Sequence, residues 1–498
     1  MEKPSAMKQT ATLLLALLLV SATQAQIGNH GLNASSAMHL LNAGPGDELL
    51  VIERRFSFDS SYVELLHADG DWASTQLAAY RFNPALYFLF DAERLTSGSL
   101  VSGLFPTPGA SSLLLLNDDG SIAWSKTISG MAGSQRRFPK VFAEGDDFVA
   151  YSNTDGFFSD LFYRLEGDAS GTAWNAMEIS TNDDVPQRFY DGTATGTPGD
   201  HILVGSRVDG AEAQVLMARI DASGVQWMKQ YDLGSAETQF EEATDAVTLS
   251  NGEFACIMTA RETASTTAAF VMRFNGNGDP IWTTKLTDAG GLFAGAVTEL
   301  ADGSLLVAAS SGFAPRLMKL TSGGVLSSST GCATCFGGIG SFTRTGNGGL
   351  VGTNGGMVFE ITEDGQACDF TAITTVVSAP FTPTVSNIAA SATPTTLTAG
   401  DVPMLDRTPA NALSDGCVLS SVHELEAGKV LQPYPVPSAG LVRLKDVRPG
   451  ERFVLRAMDG RAVMQGSYYD GVDLGALPSG VFMLELIASG SRARLVRE

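Results

Sequence analysis

The chain has 498 residues, of which 44% are hydrophobic and 17% charged, and its formal net charge is -22 at pH 7. This acidic balance repels phosphate backbones and anionic lipids, and no basic patch with interleaved aromatic residues offsets it, so we expect no nucleic-acid partner. The 54 glycines and the low charged fraction favour many short strands and tight turns over helical bundles. These bulk properties predict an all-β protein.

Residues 1–25 have the features of a secretory signal peptide. Lys3 and Lys8 precede an apolar run over 11–20, and small residues follow it, so Gln26 is the expected new N-terminus. The run is shorter than the roughly 20 apolar residues of a membrane helix, and no other stretch approaches that length. We therefore expect a secreted chain without a membrane span after cleavage, with an N-terminal anchor helix as the alternative.

Residues 26–370 repeat one pattern, whose clearest copy is LLLLNDDGSIAWSKTISG over 113–130. An apolar strand leads into an Asp-Gly or Asn-Gly turn, and in several copies the strand that follows carries a Trp. The tryptophans of the pattern are Trp124, Trp174, Trp227 and Trp282. The turn glycines, which stand about 41 to 54 residues apart, are Gly70, Gly120, Gly171, Gly224, Gly278, Gly323 or Gly324, and Gly365. This spacing is typical of propeller blades. We predict a seven-bladed β-propeller over 26–370, with four strands per blade and the tryptophans packing between sheets; six or eight blades remain open.

The repeat also resembles a known group of sequences. The pattern of LNDDGSIAWSKT is similar to the quinoprotein-type and β-propeller repeats of secreted bacterial proteins, and 301–331 is similar to the delta-60 repeat. The resemblance implies a fold rather than an activity. Quinoprotein dehydrogenases carry an adjacent Cys-Cys pair and calcium ligands around their cofactor, whereas this chain has no Cys-Cys dipeptide. We therefore expect no pyrroloquinoline quinone.

The segment 371–429 differs in composition from the repeats. Its part over 371–400 contains no charged residue and is rich in Thr, Ala and Ser. The β-branched content favours strands that pack on or close the last blade over an extended stalk, and 420–429 is the expected linker.

Five cysteines then lie in an oxidising compartment, where an odd number leaves at least one unpaired. Cys256 lies in an alternating strand pattern and is expected to pack as a small hydrophobe. Cys332 and Cys335 are expected to form a local disulfide, with a redox pair or half of a zinc site as alternatives. Cys368 and Cys417 are candidates for a second bridge, which would tie the segment after the repeats to the body.

Residues 430–498 form a distinct, slightly basic module, with nine Lys and Arg against seven Asp and Glu. Short apolar strands separated by turns predict a compact β-sandwich. Proline, glycine, arginine and aromatic or apolar residues recur at the turns and strand starts of this module, at Tyr434, Pro435, Pro437, Gly440, Gly460, Arg461, Leu477, Pro478, Gly480 and Val481. At these positions the sequence resembles the type A sorting domain of the type IX secretion system of Bacteroidetes, with Val436 where that family carries Asn. The resemblance implies export through that secretion machinery, removal of the module, and release or attachment at the cell surface.

The sequence holds few candidates for chemistry. Its five histidines are scattered, and it has no nucleophile elbow or phosphate-binding loop. Asn275, Asn277 and Asp279 place oxygen-bearing side chains at alternate positions, as a calcium loop does, while a hairpin turn is the alternative. We expect a secreted or cell-surface protein that binds a glycan or a surface protein, with no evident catalytic set and no cofactor other than this calcium candidate. The alternatives are a polysaccharide hydrolase or lyase, with carboxylates converging in the axial channel, and a structural surface-layer component.

Overall fold

The chain folds into two compact units, one over Ile27–Leu419 and one that contains Ser420–Glu498. The computed structural model describes residues 27–497 with the exception of 33–34, 43–48, 58–59, 69–73, 82–87, 105–110, 132–135, 155–159, 210–211, 235–240, 264–265, 334, 336, 355–356, 402–404, 407–412, 420–432, 435–439, 445–446, 448–449, 458–461, 470, 476 and 487–491. Within this part of the chain every secondary-structure element is a β-strand, which confirms the all-β prediction. The predicted signal peptide and Gln26 lie outside the described residues.

The first unit contains seven five-stranded antiparallel sheets among its described residues. The opening strand of the unit, β1 (Ile27–Leu32), belongs to the seventh sheet. Four consecutive strands then form the body of each of the first six sheets, and we number the sheets in chain order. Sheet 1 comprises β2 (Ser35–Asn42), β3 (Leu49–Ser57), β4 (Ser60–Ala68) and β5 (Ser74–Arg81). Sheet 2 comprises β6 (Phe88–Leu95), β7 (Gly98–Leu104), β8 (Ser111–Leu116) and β9 (Ile122–Ser129). Sheet 3 comprises β10 (Arg136–Glu144), β11 (Asp147–Thr154), β12 (Leu161–Asp168) and β13 (Trp174–Ser180).

The remaining sheets of this unit follow the same plan. Sheet 4 comprises β14 (Gln187–Ala194), β15 (His201–Asp209), β16 (Glu212–Asp221) and β17 (Gly224–Asp232). Sheet 5 comprises β18 (Glu241–Thr248), β19 (Phe254–Thr263), β20 (Thr266–Phe274) and β21 (Pro280–Thr287). Sheet 6 comprises β22 (Phe293–Glu299), β23 (Leu305–Ser311), β24 (Ala314–Leu320) and β25 (Leu326–Gly331). Sheet 7 combines β26 (Ser341–Arg344), β27 (Leu350–Asn354) and β28 (Met357–Ile361) with β1, so it joins the two ends of the repeat region.

The segment 371–419, which we call the belt, supplies the fifth strand of every sheet. Its strands are β29 (Thr371–Ala372), β30 (Val377–Phe381), β31 (Thr384–Asn387), β32 (Ser391–Thr395), β33 (Thr398–Asp401), β34 (Leu405–Asp406) and β35 (Leu413–Leu419). They pair in turn with β25, β21, β17, β13, β9, β5 and β1, so the belt visits the sheets from 6 back to 1 and ends on sheet 7.

The expectation that this segment packs on or closes the last blade holds only for its final strand, β35, whereas the other six strands pair with the other six sheets. Without the belt, the fourth strand of each sheet would be an edge with unpaired N–H and C=O groups, and an extended segment can pair with any such edge. The sequence identified the segment as strand-forming but did not indicate its partners, because each of them lies far away along the chain.

Neighbouring sheets pack face to face through apolar side chains that alternate along the strands. In β11, Phe148 and Ala150 belong to the core between sheets 2 and 3, whereas Val149 and Tyr151 belong to the core between sheets 3 and 4. Successive side chains of a strand point to opposite faces, so both faces of the sheet are buried. Each large apolar side chain buried in this way contributes about 1.5–3 kcal/mol.

The first strands of the sheets contact one another in order. The contacts run from β2 to β6, β10, β14, β18, β22 and β26, and β26 also contacts β2. The first strands of all seven sheets therefore meet in a cycle.

Tryptophans on the fourth strands connect one sheet to the hairpin of the next, as predicted for Trp124. The indole Nε1 donates to the turn carbonyl in three places, from Trp124 to Ala169 (2.8 Å), from Trp227 to Gly276 (2.9 Å) and from Trp282 to Ser322 (3.0 Å). The ring lies against the turn glycine. At Gly278, where φ is 78°, an added Cβ would lie 2.9 Å from the Trp227 ring. We call this arrangement the Trp–turn contact.

The second unit contains two described sheets. One comprises β36 (Pro433–Tyr434), β37 (Leu441–Leu444) and β40 (Val472–Asp473), and the other β38 (Glu451–Ala457), β39 (Ala462–Tyr468), β41 (Gly480–Leu486) and β42 (Arg492–Arg497). Their apolar side chains form one core around Leu455, Leu484 and Leu495. The Tyr468 hydroxyl joins the sheets, because it accepts from Leu444 N (2.9 Å) and donates to Leu444 O (3.0 Å).

Candidate functional site

A cavity of about 400 Å³ lies where the first strands of the seven sheets meet, and every one of these strands contributes to its lining. We call it the first-strand cavity. Its charged lining residues are Asp91, Glu93, Arg94, Lys140, Asp191 and Asp245. Arg94 pairs with Asp118 (2.6 Å). The other five form a cluster of four carboxyl groups and one amino group.

Bulges position the charged side chains of the cavity. The register of the strand pair shifts just before Asp91 in β6, before Asp191 in β14 and before Asp245 in β18. A bulge re-aims a side chain and leaves one residue out of the ladder. Two of the carboxylates bond across to the next sheet, because Val141 N donates to Asp91 Oδ2 (2.9 Å) and Val297 N donates to Asp245 Oδ2 (2.7 Å).

Lys140 is at the centre of the cluster. Its Nζ lies 3.1 Å from Asp191 Oδ1, 3.4 Å from Asp91 Oδ2 and 3.7 Å from Glu93 Oε1. Burial lowers the pKa of Lys140, but the three carboxylates more than offset this and hold it well above its ordinary value. The ammonium is therefore charged at neutral pH and occupies the place between the carboxylates.

Two of the carboxyl groups titrate far from their ordinary range. Burial, opposed by the charge of Lys140, raises the pKa of Glu93 to about 7, although its side chain remains 33% exposed. Burial and then repulsion from Asp191 raise the pKa of Asp245 well above its ordinary value. The cluster thus contains proton donors as well as acceptors near neutral pH, a combination that can bind hydroxyl or amino groups of a ligand.

The calcium candidate lies elsewhere, in the turn between β20 and β21. Asn275 Oδ1 accepts from Asn277 N (2.9 Å) and from Asp279 N (3.0 Å), and Asp279 Oδ1 pairs with Lys229 Nζ (2.6 Å). These contacts are those of a hairpin turn, the alternative to a calcium loop. Over the residues that the structure describes, no group of three or more His, Cys, Asp or Glu is placed to hold a metal ion.

Among the described residues, no cysteine lines the first-strand cavity. Cys332 and Cys335 form a disulfide, which confirms the predicted local bridge. Cys368 is also disulfide-bonded, and Cys256 is buried as a free thiol. The backbone of Cys417 lies in β35, but its side chain lies outside the described residues.

The predicted sorting positions belong to the second unit. Pro435, Pro437, Gly460 and Arg461 lie outside the described residues, and Tyr434 ends β36. Gly440 O accepts from Leu474 N (3.0 Å), and Leu477 N donates to Leu474 O (2.9 Å). Pro478 is exposed, and Gly480 begins β41 with Val481 half-buried beside it. The described residues of this set lie in turns and at strand ends of the second unit.

No sequence motif marks the charged cluster of the cavity, because its five residues lie on four different strands. A signal was present in the repeat itself. Asp91, Lys140, Asp191 and Asp245 stand 49, 51 and 54 residues apart, so a charged residue recurs at one position of the first strand. An alignment of the copies by their first strands, rather than by their turn glycines, would have brought these residues together.

No protein-family model matches the chain, and no curated protein matches it. The described residues include no helix long and apolar enough to cross a membrane.

Proposed function

We propose that the chain is a secreted or cell-surface seven-bladed β-propeller that binds a glycan in the first-strand cavity. The seven sheets support the blade number, and the cycle of contacts between their first strands supports closure around an axis. Sheet 7 also supports closure, because it combines strands from both ends of the repeat region, and such a shared sheet closes a ring of blades.

The cavity carries the proposal for ligand binding. Asp91, Glu93, Asp191 and Asp245 face a single ammonium, so the cavity has a surplus of carboxyl groups. Such groups accept hydrogen bonds from hydroxyl and amino groups, and their charge favours a cationic ligand over an anionic one. Phe342 adds an aromatic ring to the lining. We infer that the ligand is a glycan that carries free amino groups.

Binding is tested by calorimetric titration of the mature protein with chitosan oligomers, N-acetylated chitin oligomers and oligogalacturonate. We expect the amino-bearing oligomer to bind tightest and the uronate not to bind. Asp191→Asn removes an acceptor of the cluster and should weaken binding about ten-fold or more, as expected for a charge-assisted hydrogen bond. Asp364→Asn, at a carboxylate whose side chain is 89% exposed and does not line the cavity, is the matched control and should leave binding unchanged. Tightest binding of the uronate, or equal binding by Asp191→Asn, would contradict the proposal.

A second candidate function is cleavage of an extracellular polysaccharide in the same cavity, by a hydrolase or a lyase reaction. It is favoured by one arrangement, in which Glu93 and Asp191 flank the same ammonium while the pKa of Glu93 is raised to about 7. A carboxyl group that titrates near neutrality beside a second carboxylate suits general acid–base catalysis. Glu93→Gln should then abolish turnover but retain binding. Binding without turnover of any polysaccharide tested would refute this second function and leave binding as the function of the cavity.

We also propose export by the type IX secretion system through the C-terminal unit. Its support is the resemblance of 430–498 to the sorting domain, together with a second unit that has its own apolar core. Deletion of 430–498 should retain the protein in the periplasm, as measured by surface labelling and cell fractionation. Undiminished surface display of the truncated chain would refute this part of the proposal.

A further inference from the structure

The belt has a cysteine at each end. Cys368 stands just before β29, the first belt strand, and Cys417 lies in β35, the last one. We propose that these two cysteines form a disulfide, and that this disulfide closes the belt into a covalent ring around the seven sheets. We call it the belt ring.

The pairing follows from the bonding of the other cysteines. The sequence contains five cysteines. Cys332 and Cys335 are bonded to each other, and Cys256 is a free thiol. Cys368 is disulfide-bonded, and a sulfur atom in a disulfide has a single partner. Cys417 is the one remaining cysteine of the sequence, so within this chain it is the partner left for Cys368.

The backbone places the two positions on neighbouring rows of sheet 7. Ala367, next to Cys368, bridges to Ile361 of β28. Because β27 pairs with one side of Ile361, Ala367 lies on the other side, which β1 occupies further along β28. Cys417 lies in β35, the strand that pairs with β1 and so forms the next row. Adjacent strands lie about 4.8 Å apart, and disulfides join Cα atoms about 4.4–6.8 Å apart.

The two positions also lie at a similar level along the strands. Cys417 pairs with Asn29 of β1, and Asn29 pairs with Phe359 of β28. The bridge made by Ala367 is antiparallel, so the chain runs from it toward the level of Phe359, and Cys368 is the next residue. The register of sheet 7 therefore brings the two cysteines together from opposite ends of the belt.

The surroundings of Cys368 are those of a structural disulfide. The residue is 0% exposed and belongs to the apolar core that includes Phe359 and Phe370. Thiol–disulfide exchange requires access of a thiolate to the sulfur, and burial prevents this access. Cys332 and Cys335 belong to the same core, so an exchanged pairing is the alternative that an experiment must distinguish.

A bond at this place turns the belt into a closed loop of about 50 residues. Between the two cysteines the chain pairs with sheets 6, 5, 4, 3, 2 and 1 in turn. The first strands of the seven sheets meet in a cycle, and the belt pairs with the fourth strand, at the opposite edge of each of these six sheets. The belt ring therefore passes around the outside of the sheets.

The belt depends on this closure because its individual pairings are short. The strands β29 and β34 have two residues each, and β31 and β33 have four each. Each short pairing must offset the entropy of ordering the segment that leads to it. A disulfide restricts the unfolded chain, and the restriction grows with the length of the loop that it closes. The bond thus stabilises the pairings on all the sheets together.

The belt ring can close only when sheet 7 is complete. Cys417 reaches Cys368 once β35 has paired with β1 and β1 with β28. Oxidation then joins the two thiols, and two electrons and two protons pass to an oxidant. In the oxidising compartment of the proposed function, that oxidant is a second disulfide, which is reduced to two thiols. The bond therefore forms as a late step that follows assembly of the sheets.

The connection is tested by mass spectrometry of the full chain, alkylated under denaturing conditions without reduction and digested with trypsin. Trypsin separates the cysteines into the peptides 230–261, 320–344, 345–407 and 408–429. We expect 345–407 to be linked to 408–429, 320–344 to hold an internal bond, and Cys256 alone to be alkylated. Alkylation of Cys368, a link from 345–407 to 320–344, or a covalent dimer on a non-reducing denaturing gel would overturn the proposal.

The energetic role of the belt ring is tested with Cys417→Ala in urea unfolding followed by indole fluorescence. Cys335→Ala is the matched control, because the loop that it opens has only a few residues. We expect Cys417→Ala to raise the equilibrium constant of unfolding about 100-fold, and by about ten-fold or more beyond the effect of Cys335→Ala. Equal effects of the two variants would overturn the ring.

Reduction of the folded wild type provides a second measurement if Cys417→Ala does not accumulate. Dithiothreitol converts each disulfide to two thiols and is itself oxidised to a cyclic disulfide. After reduction and alkylation in mild urea, the equilibrium constant of unfolding should rise about 100-fold or more. An unchanged constant after complete alkylation of Cys368 would overturn the proposal.

Discussion

The contribution of belt packing to stability can be measured at Phe381. This side chain lies on β30, packs half-buried against the core between sheets 4 and 5, and contacts Phe270 with ring centroids 5.0 Å apart at 73°. Full removal of a buried phenyl costs about 3–5 kcal/mol. Because Phe381 is only partly buried, we expect Phe381→Ala to lower the free energy of unfolding of the first unit by about 2 kcal/mol.

The measurement is urea unfolding of the mature protein, followed by indole fluorescence, which reports on the first unit because all five tryptophans belong to it. Phe313→Ala is the matched control, because Phe313 is 77% exposed and the same atoms are removed from a surface position. We expect the control to change stability by less than about 0.5 kcal/mol. Equal stability of the two variants would show that the belt does not pack on the sheets as described.

The same unfolding assay and its pH dependence test two further features. Gly278→Ala and Gly303→Ala both place a Cβ on a residue with positive φ, 78° and 76° respectively, but only the Cβ at Gly278 meets the Trp227 ring, at 2.9 Å. We therefore expect Gly278→Ala to lower the free energy of unfolding by about 1 kcal/mol or more beyond the effect of Gly303→Ala. Equal effects of the two variants would contradict the Trp–turn contact. Burial, aided by Arg164, lowers the pKa of His201 from 6.5 to about 3, so the folded state binds fewer protons than the unfolded state between these values and stability is lost as pH falls below 6.5. His201→Gln should reduce the loss of unfolding free energy at pH 4 by about 3 kcal/mol relative to the wild type. If the variant loses stability with falling pH in parallel with the wild type, the buried neutral imidazole is refuted.

The pairing of β1 has consequences for folding. Its neighbours in sheet 7 are β28, near the end of the repeats, and β35, at the end of the belt. Sheet 7 therefore cannot be completed until residues up to 419 are available. Contacts of such long sequence separation slow folding, because the entropy of closing the loop is lost before the pairing stabilises it.

The sequence by itself determined the strands and turns of this protein. Its Asp-Gly and Asn-Gly pairs specify hairpins, its apolar runs specify strands buried on both faces, and the recurrent Trp beside a turn glycine specifies packing between sheets. These are local properties of short segments, so they survive in any context that buries the same faces. The bridge between Cys332 and Cys335 is likewise a local property, since only two residues lie between the two cysteines.

Only the tertiary structure decided which distant edges the belt pairs with and which side chains meet in the first-strand cavity. An uncharged strand such as β31 carries no information about its partner, because backbone hydrogen bonds are alike at every edge. The bulges that turn Asp91, Asp191 and Asp245 toward one cavity depend on how neighbouring strands align.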